Sequence, residues 1–558
     1  MKQNLVLTSL VYFFITLTVQ GQIDSAEKAD SLFKKWDSSD TGGAAIAVVK
    51  NGEIVFSNAY GMANLEYGIP NTVTTVFHAA SLSKQFTAYS ILLLEQEGKL
   101  SLDDDIRIYI PEVPDFGKKI TLRHLASHTS GLRDQWRLLY LAGWRPDDVV
   151  LNQDILDLVA KQTDLNFEPG SRLSYSNTGF TLLAEVVTRV SGKSFAEFTK
   201  EKIFGPLKMD HTQFYDDHNK IVKNRAYSYQ LVDGALKKDK LNFSTVGATS
   251  LFTTVMDLTK WAVYLNTLDT KNNQLSRRMN TRASLNNGEV TEASMGQWAG
   301  VKYKGMEWFD HTGSDASFRA YLSRFPESNS AVVVLANTTP FNATNQGLKT
   351  ADIFLSEYFK TEGGSPQNKN DQPKKDYDYI KLSNKELAKF CGKYWELDER
   401  YDREIKLIND TLVYYRSKSS QTKLLPISEN EFKMIGDSND VSVIFGNGNN
   451  ESDMQLIIND GRRVDFAKYE ESFSKDPYKG MYYNGEVERE IQVTIENGHV
   501  FLTLFKQDPI KLIPIKKDLF TSENRNFQKV EFVRNSEDEI TGLLINNSGI
   551  VKMEFSKN

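Results

Sequence analysis

Three short groups of residues in this chain carry side chains that could do covalent chemistry. The first is Ser81-Leu-Ser-Lys84. A serine hydroxyl is a poor nucleophile until a neighbouring base takes its proton, and three residues of helix bring Ser81 and Lys84 onto one face within reach of each other. A partly buried lysine can lose its proton near neutral pH and act as that base. The second is Tyr175-Ser-Asn177, presented on a loop after the turn signal Glu168-Pro-Gly170. A phenol near Lys84 could share its proton, and Asn177 could hold a substrate carbonyl. The third is His311-Thr312-Gly313-Ser314, just before the strand-like run Phe318–Phe325. Glycine there lets a substrate lie against a strand edge, and His311 adds a tunable polar group.

Each group has an ordinary structural reading as well. Ser-x-x-Lys recurs at Ser25, Ser31, Ser420 and Ser472, and Tyr-x-Asn at Tyr264 and Tyr482. Serine is favoured at a helix N-cap in any case, Asn177 suits a turn, and Tyr175 and His311 could simply pack. What sets Ser81 apart is the small-residue approach Phe77-His-Ala-Ala80 and the long apolar helix that follows. A metal reading rests on His124 and His128, four apart. No glutamate lies between them to complete the zinc-protease pattern, so structural histidines are expected and no metal is assigned.

Positioning these groups needs rigid elements. Ala44–Lys50 and Glu53–Tyr60 read as a hairpin across Asn51-Gly52. Ser81–Gly98 reads as a helix ending at glycine, with Phe86, Tyr89, Ile91, Leu92 and Leu94 at helical spacing. Ala331–Ala336 reads as a buried strand and Thr350–Phe359 as a closing helix. Residues 361–376, with Gly-Gly-Ser-Pro followed by polar residues and a second proline, read as a linker. Beyond it the pattern repeats at offsets of 86–89 residues: Gly392-Lys-Tyr394 with Gly480-Met-Tyr482, Arg403-Glu-Ile405 with Arg489-Glu-Ile491, and Lys423–Ile427 with Lys511–Ile515. Phe432 with Phe520 and Arg463–Phe466 with Lys552–Phe555 complete the set. Two copies of one all-β unit follow, and alternating runs between Asn/Gly turns suit small closed barrels. The expected organisation is a signal peptide over 1–21, a catalytic domain over 22–362, a linker over 363–377, and barrels over 378–472 and 473–558.

The 558 residues exceed one ordinary domain. A net charge of −6 argues against a nucleic-acid binder held by a basic face. One cysteine, Cys391, excludes an internal disulfide framework and a cysteine-rich zinc site, and is expected to pack at the first barrel's opening strand. Met1-Lys2, the apolar run Leu5–Val19 and small residues up to Gly21 match a secretory signal peptide. The apolar run is short for a spanning helix, and no cysteine stands near the cleavage point to take a lipid. A periplasmic or secreted protein without a stable membrane anchor is expected.

In this order, the three groups resemble the Ser-x-x-Lys, Tyr-x-Asn and Lys-Thr-Gly signatures of the serine β-lactamase and penicillin-binding-protein superfamily. Asn64-Leu-Glu66, Leu125–Leu132, Ile203–Met209 and Asp257–Trp261 resemble the framework of its class C-related branch. The resemblance implies an α+β fold, an antiparallel sheet flanked by helices, followed by two eight-stranded lipocalin-like barrels as in D-aminopeptidases. It implies Ser81 as acylated nucleophile, Lys84 as proton acceptor and Tyr175 as partner base. The N–H groups of Ser81 and Ser314 would form the oxyanion hole, His311 would orient substrate or assist Tyr175, and Asn177 would position the acyl amide. Thr312 and Gly313 would line the substrate edge, and no cofactor is required. His311 stands where the signature has lysine, a departure that points to a small amide, D-amino-acid peptide or ester as substrate. A DD-carboxypeptidase or class C-like β-lactamase is the alternative within the family. Outside catalysis, a slowly acylated binding or sensor protein would fit the same residues, with the barrels as its working part.

Overall fold

The structure is a computed structural model that describes residues 24–300, 302–360, 377–397, 401–417, 420–436, 439–446, 453–459, 461–469 and 473–558. The expected signal peptide and the linker over 361–376 lie outside the described residues. The chain folds into two compact units, one comprising 24–136 and 144–360, the other holding 137–143 and both barrels.

The first unit is built on a five-stranded antiparallel sheet of β1 (Ala44–Lys50), β2 (Glu53–Tyr60), β3 (Phe309–Asp315), β4 (Phe318–Phe325) and β5 (Ser330–Ala336), in the order β3-β4-β5-β1-β2. β1 and β2 meet across Asn51-Gly52 as expected, with both turn residues at positive φ, the geometry that matches strand twist. Period-two alternation splits the side chains of β1 and β5 between the two faces. Ile46, Val48, Val332 and Val334 pack with Phe33 and with Ala351 and Phe354 of the helix Ala343–Phe354. Val49 and Ala331 pack on the other face against Ala262 of the helix Val255–Thr270. Because helices cover both faces, β1 and β5 are buried almost throughout. That explains their continuous apolar sequence.

The helix α1 (Ser83–Gln96) carries Lys84 of the first motif and is buried along most of its length. Trp261 locks it from one side, with its ring 4.5 Å from Phe86 and its indole N–H on Gln85 Oε1. Ser81 lies just ahead of the helix, in a 3-10 turn over Ala80–Leu82. This corrects the expectation that Ser81 opens the helix itself. The closing helix likewise starts earlier than its apolar pattern suggests, at Ala343, and yields to a 3-10 turn over Ser356–Tyr358.

The second unit holds two closed antiparallel barrels of eight strands, the first running from Gly392–Glu396 to Arg462–Lys468 and the second from Gly480–Asn484 to Ile550–Lys557. The repeated Gly-x-Tyr has a common use. Tyr394 donates its hydroxyl to Phe390 O at 2.9 Å, and Tyr482 donates to Tyr478 O at 2.8 Å. Lys468 and Lys557, at matching places in the closing strands, bond Lys389 O and Pro477 O. Aromatic rings fill the interiors, with Phe390, Phe432 and Phe445 clustered in one and Tyr478, Phe520 and Phe532 in the other. Cys391 is a half-buried free thiol packed against the first barrel's core. Among the described residues no helix is long and apolar enough to cross a membrane.

Candidate active site

Three elements meet around Lys84: the start of α1, the start of the helix α2 (Asn177–Ser191), and edge strand β3. Ala80, directly before Ser81, sits at φ +48 although it is not glycine. That left-handed residue turns the chain sharply into the 3-10 turn, where the leading N–H groups have no intrahelical partner.

Lys84 is fully buried. Its Nζ lies 3.1 Å from Ser81 Oγ, 2.9 Å from Asn177 Oδ1 and 2.8 Å from Ala248 O. Burial drives the Lys84 pKa down to about 7, against the pull of Asp315 and Asp134, whose negative charges raise it. The three neighbours decide what happens when a proton leaves. Carbonyl oxygens only accept, so Asn177 and Ala248 each require an N–H from Lys84. Ser81 alone can turn its hydroxyl round and donate. The free amine therefore presents its lone pair to Ser81, which is the geometry of a general base for that hydroxyl.

Asn177 is the first residue of α2 rather than part of a loop. Its backbone N–H and its side-chain Nδ2 both donate to Asp134 Oδ2, at 2.9 and 2.8 Å. Since a carboxylate only accepts, this fixes which end of the amide is oxygen and aims it at Lys84. Asn177 thus holds its amide oxygen on the lysine, 2.9 Å from Nζ.

Burial pushes the Tyr175 phenol well above the usual tyrosine range, outweighing the opposite influence of nearby Ser81. It stays neutral, suited to relaying a proton rather than holding a negative charge. Its ring lies 4.3 Å from His128 and within 6.3 Å of Trp298 and His311, and Lys84 Nζ stands 4.9 Å from its centroid.

His311 is buried, and its ring is nearly parallel to Trp298. Nδ1 lies 2.6 Å from Thr312 O, a carbonyl that only accepts, so Nδ1 carries the proton. Burial and the charge of Lys84 lower its pKa to about 3. The imidazole is therefore neutral, with a lone pair on Nε2, and Nε2 meets no hydrogen-bond partner among the described residues.

Gly313 is required by close approach. A Cβ there would stand 2.3 Å from Ala79 O, so the bare α-carbon lets β3 lie against the turn that carries Ser81. Asp310 exchanges both backbone bonds with Trp298 outside the sheet. Ladder bonds alternate along an antiparallel strand, so Asp310, Thr312 and Ser314 all point their backbone N–H groups to the open edge. The side chains of Thr312 and Ser314 are exposed there.

The structure thus brings Ser81, Lys84, Tyr175, Asn177 and His311 together, with Thr312, Gly313 and Ser314 along the adjoining edge. His124 and His128 do not share a helix face. His124 Nδ1 accepts the Thr121 N–H as part of a capping box, while His128 lies beyond the helix end at φ +59, with Nδ1 on Ser176 N–H. Sequence reasoning missed Asp134, Ala248 and Trp298. Asp134 follows the framework phrase Leu125–Leu132 by two residues, the one signal that could have found it.

This is the fold and the constellation of a serine hydrolase of the β-lactamase type. A family model described as Beta-lactamase matches residues 29–355, and the chain belongs to that family. It is 27% identical over 450 residues to Penicillin-binding protein 4* of Bacillus subtilis, covering 77% of this chain and 96% of that one. It is 29% identical over 254 residues to a D-aminopeptidase of Brucella anthropi, covering 46% of this chain and 48% of that one. The chain thus spans about half the length of that D-aminopeptidase. The structure of an octameric penicillin-binding protein homologue from Pyrococcus abyssi superposes with a TM-score of 0.54 at 23% identity, covering 79% of this chain and 99% of that one, a likeness of fold.

Proposed function

We propose that this chain is an exported hydrolase that acylates Ser81 and acts on small amides, D-amino-acid peptides or short esters. The observation that carries the substrate class is His311. A lysine in the third motif would offer a fixed positive charge to a substrate carboxylate. Here a neutral imidazole holds a lone pair on Nε2, which accepts from a substrate amine or hydroxyl and offers no charge to a carboxylate.

In the reaction, Lys84 takes the Ser81 proton as Oγ attacks the acyl carbon. The N–H groups of Ser81 and Ser314 meet the developing oxyanion, an interaction worth about 3–4 kcal/mol per donor in comparable sites. Tyr175 relays the proton to the leaving group, and water then releases the acyl group. A panel of D-amino-acid p-nitroanilides, p-nitrophenyl esters and nitrocefin tests the proposal. Turnover of anilides or esters far above nitrocefin supports it, and the reverse order refutes it. Export is supported by the run Leu5–Val19 and is tested by N-terminal sequencing of the mature protein.

A second reading, a penicillin-recognising cell-wall peptidase, is favoured by the match to nearly the whole of Penicillin-binding protein 4*. Stable penicillin labelling together with release of D-alanine from a cell-wall peptide would select it.

A further inference from the structure

Behind the Ser81 turn runs a buried chain of polar groups that the reaction above does not use. His78 Nδ1 accepts the Ala80 N–H at 3.2 Å, so Nδ1 holds a lone pair. Burial, with the charge of Arg225, lowers the His78 pKa to about 3, so the ring is neutral and its single proton sits on Nε2. Nε2 lies 3.4 Å from Thr249 Oγ1, the longest link, and Thr249 in turn donates to Asp315 Oδ2. Each donor points the same way: Ala80 N–H to His78, His78 to Thr249, Thr249 to the carboxylate. Phe252 and Phe318 hold the His78 ring between them, 5.1 and 5.7 Å away.

The two ends of this chain are informative. Ala80 is the left-handed residue directly before Ser81, and Asp315 directly follows Ser314. We propose that His78, Thr249 and Asp315 are positioning residues for acylation: their hydrogen-bonded chain ties the Ser81 turn to the end of β3 and fixes the distance between the two N–H groups that receive the oxyanion. The proposal rests on the acyl-enzyme reading above. It also explains how a non-glycine residue is held at positive φ, since the Ala80 N–H is anchored by His78.

Asp315 has a second consequence through charge. Lys84 is surrounded by Asp134 and Asp315, by the neutral rings of His128 and His311, and by the neutral phenol of Tyr175. Asp315 faces Lys84, Arg319, Thr249 and His78. Removing its negative charge makes the lysine easier to deprotonate, so an activity limb governed by Lys84 moves to lower pH.

The test uses the full chain with p-nitrophenyl acetate as substrate and a fluorophosphonate as acylating probe. Labelling of wild type and loss of turnover in Ser81→Ala establish the acyl-enzyme reading. If Ser81→Ala keeps wild-type turnover, that reading fails and the brace falls with it. Given an active Ser81, Thr249→Val is expected to lower kcat by about 10²-fold, the scale of an ångström-level misplacement, with KM little changed. Thr249→Ser, which keeps the hydroxyl, should restore most of the rate. Asp315→Asn, whose amide oxygen still accepts from Thr249, should shift the acid limb of the pH profile downward. Wild-type kcat in Thr249→Val overturns the proposal. Should Thr249→Val fail to fold, Asp315→Ala, which removes the acceptor, decides alone, and full kcat refutes the brace.

Discussion

Asp134 Oδ2 accepts both the backbone and the side-chain N–H of Asn177, at 2.9 and 2.8 Å, and so decides which atom of that amide faces Lys84. With Asp134→Ala the amide is free to rotate and present its NH2 to the ammonium. An unpaired buried polar group costs about 1–3 kcal/mol, so a loss in kcat of roughly tenfold or more is expected. Steady-state kinetics at saturating substrate checks it, and an unchanged kcat would show that Asn177 orients itself.

The pH dependence follows from Lys84. The amine acts as base only when deprotonated, and burial has brought its pKa to about 7, so kcat/KM on a neutral ester should rise with pH through a limb centred about there. The titration belongs to the coupled site, since Asp315, raised to about 6 by burial, sits in its field. Tyr175 is pushed upward and contributes no limb near neutrality. A profile flat across neutrality would contradict Lys84 as the base.

Gly313→Ala should be among the most damaging single substitutions outside the nucleophile. The added methyl would stand 2.3 Å from Ala79 O and push β3 away from the Ser81 turn. Loss of about 10²-fold or more in kcat is expected, with the protein still folded by circular dichroism. Wild-type turnover would show that the strand and the turn need not touch.

His311 supplies a sharper test of substrate class. His311→Lys should shift preference toward carboxylate-bearing substrates, and His311→Ala should lower turnover most on amides that carry a free amine, which the Nε2 lone pair can accept from. Nitrogen NMR should find the wild-type ring neutral and protonated on Nδ1 down to mildly acidic pH. A ring protonated on Nε2 at neutral pH would remove the basis for the proposed preference.

Local patterns carried much of this architecture in the sequence. Asn51-Gly52 gave away its hairpin because both residues must take positive φ, and the doubled Gly-x-Tyr gave away the barrels because each copy reuses the same tyrosine-to-carbonyl bond. The ordered motifs point to five side chains that the fold brings together. Ser81 reads as part of the helix because apolar spacing is blind to a 3-10 turn, and nothing local marks Ala80 as left-handed. The residues that stay hidden, Asp134, Ala248, Thr249 and Trp298, join the site through hydrogen bonds and ring contacts that span long stretches of chain. Such pairs leave no periodicity; apart from Asp134, two residues beyond the phrase Leu125–Leu132, only the fold places them.

Formation of an acyl-enzyme on Ser81, with Lys84 as base, can be read by intact-protein mass spectrometry after fluorophosphonate treatment at several pH values. One adduct per chain is expected, mapped to the peptide containing Ser81, absent in Ser81→Ala, and forming faster as pH rises through about 7. An adduct on any other residue, or wild-type hydrolysis by Ser81→Ala, would rule out Ser81 as the nucleophile.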